Sequence, residues 1–220
     1  MDPQTLTITS GAAALAAQLA ALAFGTSITP GPNNLMLLSS GLRFGVRRTL
    51  PHCLGVSAGL ALVLLLAWFG LAALLASLPV LQTLLTLAGA LYLLHLARLT
   101  ACADPRQPLD GRNGDAAQPM SLIGAVAFQF VNPKVWGMAA SGVGLTLAAD
   151  VSPALRAPLL VGVYCLMNLP CISLWAIAGS SLRRHLSQPR LRRAFNLGNA
   201  ALVAATALWM LAPLAARLAG

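Results

Sequence analysis

Residues 29–34 read TPGPNN, and this run interrupts an apolar segment over 11–40. Its two prolines remove backbone donors and free carbonyl groups of the preceding helical turn, and the glycine between them permits an open backbone. Unpaired backbone groups are costly in hydrocarbon, so such a break persists only inside protein or beside a wet cavity. The two asparagines can pair with the freed groups or with a polar substrate. The stretch therefore predicts a broken transmembrane helix with polar surroundings.

Composition places the rest of the chain in a membrane as well. The 220 residues are 58% hydrophobic and 9% charged, with a mean hydropathy of +0.78, whereas soluble domains carry roughly 25% charged residues. A bilayer core takes about 20 helical residues. We expect an all-α integral membrane protein with a single transmembrane domain over 1–220. Its six predicted spans lie near 11–40, 51–76, 80–99, 120–148, 154–182 and 195–218.

Arginines cluster in alternate connections between the predicted spans. The clusters are Arg43, Arg47 and Arg48; Arg98, Arg106 and Arg112; and Arg183, Arg184, Arg190, Arg192 and Arg193. The connections near 77–79 and 150–153 hold none. Cytoplasmic loops carry the excess of basic residues, so we expect these three connections in the cytoplasm and both termini outside. A re-entrant broken segment would reverse the N-terminus. The net charge of +9 thus indicates orientation in a membrane, and we expect no nucleic-acid partner.

A second break follows a polar linker over 100–119 that divides the chain into repeats of about 11–99 and 120–218. Residues 128–136 read FQFVNPKVW, and Lys134 is the only lysine in the chain. A cation at the bilayer centre costs about 3 kcal/mol or more, so Lys134 should face a cavity, a carbonyl cluster or an anion. Three spans per half require inverted topology. Matching breaks in inverted halves indicate a transporter's binding site.

Structural interpretations of these residues are also open. A Pro-Gly kink can be purely structural, and Lys134 can extend to the interface if its span starts later. Asn168 precedes Pro170 in the fifth span and either stabilises a kink or contacts a ligand. We expect His52 to lie at a membrane edge beside Arg48 in a structural role.

The two broken segments resemble the LysE/RhtB family of amino-acid exporters. Residues 28–59, ITPGPNNLMLLSSGLRFGVRRTLPHCLGVSAG, are similar to that family's N-terminal signature, 128–136 to its second motif, and NLPCISLWAIAG at 168–179 to its fifth span. The paired asparagines after the second proline are most like members that export neutral amino acids such as cysteine and O-acetylserine. The resemblance implies six helices, frequent dimers, and export across the bacterial cytoplasmic membrane driven by the proton gradient or membrane potential.

We expect the two breaks to meet near the midplane and bind an amino acid between them. The helix start after the first break and Lys134 would hold the carboxylate, and amide groups and free carbonyls the ammonium. Rocking of the halves would give alternating access. The candidate substrate-binding residues are Pro30, Gly31, Pro32, Asn33, Asn34, Gln129, Asn132, Pro133, Lys134 and Asn168. We expect no catalytic residue, metal or cofactor.

Other classes of membrane protein lack their characteristic residues here. The four cysteines form no Cys-x-x-Cys pair of a thiol-disulfide carrier, and the spans hold too few acidic, His or Cys side chains for a metal-ion carrier. An enzyme would need a nucleophile with a base or a pair of carboxylates, and the sequence shows neither pattern. A structural membrane protein stays open. No predicted span contains a carboxylate that could carry a coupled proton. Either Lys134 or a histidine carries the proton, or the protein is a uniporter that moves its substrate down the substrate's own gradient.

Overall fold

The computed structural model describes residues 3–106, 118–186 and 188–219, which are almost entirely helical. Its helices are α1 (Pro3–Ile28), α2 (Pro32–Trp68), α3 (Leu71–Ala76), α4 (Pro79–Ala101), α5 (Leu122–Val131), α6 (Pro133–Ala148), α7 (Pro153–Leu182) and α8 (Pro189–Ala219). Proline starts most of these helices, because the first helical position needs no backbone donor and favours its fixed φ. The prediction of an all-helical membrane protein is confirmed, and the division into six spans and two inverted repeats stays a prediction.

The 37-residue helix α2 is two helices joined at a sharp turn. Gly45 has φ 77° and ψ 166°, a left-handed region that favours glycine. The Ser40 and Thr49 hydroxyls lie 2.9 Å apart, although nine residues of straight helix would separate them by about 13.5 Å. The chain therefore reverses at Gly45 into two segments, which we call α2a (32–44) and α2b (46–68).

The predicted span boundaries are partly wrong. The expected loop between 41 and 50 is helical on both sides of Gly45, because a single glycine suffices for the reversal. The predicted span 51–76 ends at Trp68, and the short helix α3 follows it. The described part of the chain has five helices long and apolar enough to cross a membrane, with α2 counted once and neither α5 nor α6 long enough alone.

Glycines set the closest helix contacts. The backbone of Gly41 in α2a lies directly against that of Ala176 in α7, where a Cβ atom would collide with the Ala176 carbonyl. Gly55 in α2b makes a similar approach to the start of α5. Small residues permit such contacts between membrane helices. Beyond these pairs, α1 packs on α7 and α4 packs on α8.

The arginine-rich connections gather at one end of the molecule. Arg192 donates to the Asp104 carbonyl at 3.1 Å, and Gly45 lies close to the Arg183 guanidinium. At the opposite, arginine-poor end, Gly11 packs on the Asp150 carbonyl. The part of the predicted linker at 107–117, with Arg112, lies outside the described residues.

Candidate functional site

The first break is the non-helical stretch 29–31 between α1 and α2a. Side chains satisfy the carbonyls that the end of α1 leaves free. Asn34 Nδ2 donates to the carbonyls of Ser27 at 2.8 Å and Thr29 at 2.7 Å. Trp175 Nε1, on α7, donates to the Ile28 carbonyl at 3.2 Å. The break is thus held open by specific donors rather than by disorder of the chain.

The second break is Asn132, which separates α5 from α6 with an extended backbone. Its side-chain oxygen accepts from the Lys134 backbone amide at 3.1 Å and caps the new helix. Trp136 Nε1 donates to the Phe130 carbonyl at 2.9 Å. Like the first break, this one pairs a freed carbonyl with an indole donor from outside the helical ladder.

The two breaks meet through direct polar contacts. Lys134 Nζ donates to the Thr29 carbonyl at 2.9 Å and lies 3.0 Å from its hydroxyl. Asn33 and Gln129 exchange two amide hydrogen bonds of 2.8 and 3.2 Å. A Cβ atom on Gly31 would lie only 3.0 Å from Lys134 Nζ, so glycine allows this approach. The only lysine of the chain therefore rests on a carbonyl of the opposite break.

A small polar cavity, which we call the chamber, lies between the breaks. Its volume is about 20 Å³, room for about one water molecule. The amides of Asn33, Asn34 and Gln129 line one side, and α2b and α7 contribute apolar side chains. Lys134 is the one charged side chain among the described residues that line it.

Asn168 leaves an unpaired acceptor beside the chamber. This side chain on α7 is 5% exposed and lines the chamber. Its Nδ2 donates to the Ser27 hydroxyl at 3.1 Å, while its Oδ1 has no partner within the described ranges. Buried polar atoms are almost always paired, so an orphan of this kind calls for a ligand or water.

A larger opening, which we call the cleft, lies on the other side of Lys134. Its volume is about 650 Å³, within the range of small-molecule sites. The first break and Pro133 form its floor, and residues of α8 between Leu202 and Met210 form one wall. Chamber and cleft share Gly31, Pro32, Asn132 and Lys134, so these four described residues lie between them.

The structure gathers every residue predicted for the site. Eight of the ten line the chamber, and the other two, Pro30 and Pro133, line the cleft. Sequence reasoning missed Ser27 and the two indoles that donate to the breaks. Ser27 and Trp136 each lie within about one helical turn of a break, and this closeness in sequence is the signal that could have identified them. Trp175 had no such signal, because its partner is 147 residues away.

The sequence predicted His52 at a membrane edge beside Arg48, and the structure buries it inside the helix bundle. It is 2% exposed, and neither ring nitrogen has a hydrogen-bond partner in the described part of the chain. The sharp turn at Gly45 replaces a longer loop, so His52 falls within the helix rather than at its end.

The residues around the chamber have the polarity to bind a small zwitterion, but the chamber, at about 20 Å³, would have to widen toward the cleft to admit one. Lys134 and the start of α2a supply positive charge and donors for a carboxylate. The Asn168 oxygen can accept from an ammonium group. Metal-ion and disulfide chemistry have no assembled site in the described residues, where no group of three metal-ligating side chains occurs and all four cysteines are free.

The sequence matches the family described as LysE type translocator over residues 24–212. It is 34% identical over 173 residues to the cysteine/O-acetylserine efflux protein of Klebsiella pneumoniae, covering 72% of this chain and 79% of that protein. The protein of the same name from Escherichia coli K12 is also 34% identical over 173 residues, covering 74% of this chain and 81% of its own length. No solved structure matches the chain. The family match includes both breaks.

Proposed function

Because this chain belongs to the LysE type translocators, which are transporters and not enzymes, we propose that it exports small neutral amino acids or their derivatives. The relatives named for cysteine and O-acetylserine efflux support this substrate class. Export would run from the bacterial cytoplasm by alternating access around a site between the two breaks.

The observation that carries the proposal is the shared chamber of the two breaks. Two segments about 100 residues apart each break a helix, and Lys134 and Gln129 of one bond Thr29 and Asn33 of the other. A purely structural kink needs only local donors. Contacts across the two halves instead favour a binding site that both halves can remodel.

The charge of the chamber favours neutral over basic amino acids. Lys134 is the one charged side chain among the described residues of the lining. That lining holds no carboxylate that could balance the side-chain charge of a basic substrate. The Lys134 ammonium has three N–H donors. A substrate carboxylate could therefore accept one or two of these hydrogen bonds in place of Thr29. A lysine or arginine side chain would bring an unpaired positive charge into a poorly solvated space, which is strongly disfavoured.

The helix pairing supports six spans in two inverted repeats. In this proposal, α1 with α2a, then α2b and α4, form one half, and α5 with α6, then α7 and α8, form the other. The first helix of each half packs on the second span of the other: α1 on α7, and α5 on α2b. The third spans, α4 and α8, pack on each other. A two-fold axis in the membrane plane would generate these pairs.

Orientation and coupling follow as further parts of the proposal. The positive-inside rule places the arginine-rich end in the cytoplasm. Asp104 and Asp150, the acidic residues of the described part of the chain, both lie between helices, so coupling to protons would need another group. Coupling to the proton gradient or the membrane potential and assembly as a homodimer stay predictions.

Efflux from loaded cells tests the proposal. Cells expressing the chain are loaded with labelled O-acetylserine, cysteine, serine or lysine, and the loss of label is followed. We expect faster loss of the neutral compounds than in cells with the empty vector, and no change for lysine. Failure across neutral, basic and sulfur amino acids would refute the proposal. Export that ceases only when all four cysteines are replaced would favour a thiol carrier instead.

A further inference from the structure

The cleft exposes irregular backbone at the mid-depth of the helix bundle. Ser27, at the end of α1, bonds Asn168 halfway along the 30-residue α7. Thr29 and Pro30 follow directly, and both are exposed on the cleft floor. Non-helical backbone at membrane depth occurs inside protein or along water, and not against lipid. Together with the Lys134 ammonium, this floor requires an aqueous neighbour.

The cleft continues toward the arginine-poor end. A second cavity of about 490 Å³ shares Pro133, Gly137, Trp209 and Met210 with it. This cavity extends to Gln82, Thr83 and Thr86 in the first two turns of α4, which begins at that end. Polar side chains facing a groove between membrane helices indicate a route for water and solutes. The two cavities thus connect Lys134 with one surface of the membrane.

Contacts on the arginine-rich side instead bring the helices together. Asn199 on α8 donates to the Ser39 hydroxyl at 2.5 Å and to the Leu35 carbonyl at 3.4 Å. Both partners belong to α2a, so this residue ties α8 to the half-helix that follows the first break. Asn199 is 5% exposed, and its Oδ1 has no partner among the described residues. Because that oxygen is already unpaired, separating α8 from α2a at this point would break only the two hydrogen bonds of the Asn199 amide nitrogen.

We infer that the cleft and its continuation between α4, α6 and α8 form the external half of the path for amino acids, open in this conformation. The Asn199 contact with α2a closes the cytoplasmic half. This inference rests on the proposed export function and adds the route, the residues that line it and the side to which it opens. Thr83 and Thr86 then contact the substrate on its way out.

Cysteine accessibility on α4 tests the route. Thr86→Cys faces the groove, whereas Leu84→Cys, two residues earlier on the same helix, replaces a side chain that is 57% exposed and does not line it. A charged, membrane-impermeant maleimide is added outside intact cells. We expect Thr86→Cys to react at least about tenfold faster, because thiols react as thiolates, which form in water and not in lipid. The unmodified chain gives the baseline from its native cysteines.

Asn199→Ala tests the closed side in the Thr86→Cys background. Losing this contact should favour the inward-open state, lowering the ratio of outward- to inward-open molecules roughly fivefold, as expected for one hydrogen bond. The maleimide rate at Thr86→Cys should then fall. Leu208→Ala, on the exposed face of α8, should leave it unchanged. Asn199→Ser, which is too short to reach α2a, gives the same prediction if the alanine variant fails to fold.

The outcomes separate this inference from the export proposal. Equal rates for Thr86→Cys and Leu84→Cys, or labelling only after detergent removes lipid or a second copy, would overturn the external route while export assays stand. An unchanged rate in both Asn199 variants would overturn the closed cytoplasmic half. Rapid labelling that excess O-acetylserine and serine do not alter, in cells that also export no amino acid, would overturn both proposals.

Discussion

Lys134→Met removes the positive charge that Lys134 brings to the chamber and should abolish most export without unfolding the protein. Lys134 Nζ makes two contacts with Thr29, but the Thr29 carbonyl keeps a second donor, Asn34 Nδ2 at 2.7 Å. The first break therefore stays satisfied. A hydrogen bond to a charged group contributes about 1.5–3 kcal/mol, so losing it from a substrate carboxylate should slow export roughly ten- to hundredfold.

The assay is the initial rate of labelled O-acetylserine or serine efflux, normalised to folded protein in the membrane. Arg156→Met is the matched control, because Arg156 is also a cation bound to backbone carbonyls, at 3.0 Å to Val151 and 3.2 Å to Ala149, but lies away from the chamber. Lys134→Arg keeps the charge and should retain more activity than Lys134→Met. Export by a folded Lys134→Met protein at the rate of Arg156→Met would show that Lys134 does not bind the substrate.

Three further predictions concern packing and the break itself. Gly31→Ala should lower export while leaving folding intact, because its extended backbone suits any residue but the new Cβ would press on the Lys134 amino group, 3.0 Å away; efflux and size-exclusion profiles check this. Gly41→Ala should destabilise the protein by about 1–3 kcal/mol through overpacking against backbone, seen as a lower Tm in detergent, whereas Gly25→Ala, with nothing within 4 Å, should not; equal Tm values would contradict this. His52→Leu should raise Tm, since it removes two buried nitrogens without partners, and a lower Tm would show that the imidazole has an unseen partner.

The helical membrane fold and the location of the site could be predicted because both leave strong marks in sequence. A run of about 20 apolar residues crosses a bilayer as a helix, because the helix pairs its backbone groups internally. Prolines inside such runs can end a helix, as Pro32 and Pro133 do by starting new ones, whereas Pro51, Pro158 and Pro170 lie inside continuous helices. Lys134 was informative for the same reason, since a cation in hydrocarbon needs a partner.

The partners themselves could not be predicted, because they depend on which helices pack together. Nothing in the sequence relates Trp175 to Ile28 or Asn199 to Ser39, which are far apart along the chain. The turn at Gly45 was also unpredictable, since a glycine inside an apolar pattern is compatible with a continuous helix or a reversal. That reversal decides whether His52 lies in a loop or in the bundle.

Counterflow in liposomes directly measures whether the residues around Lys134, between the two breaks, bind neutral amino acids for transport. Purified protein is reconstituted into vesicles filled with unlabelled O-acetylserine, and labelled O-acetylserine is added outside. We expect transient accumulation of label, which excess serine should abolish, excess lysine should leave intact, and Lys134→Met should largely eliminate. No accumulation with any neutral amino acid, or equal accumulation by folded Lys134→Met protein, would contradict this expectation.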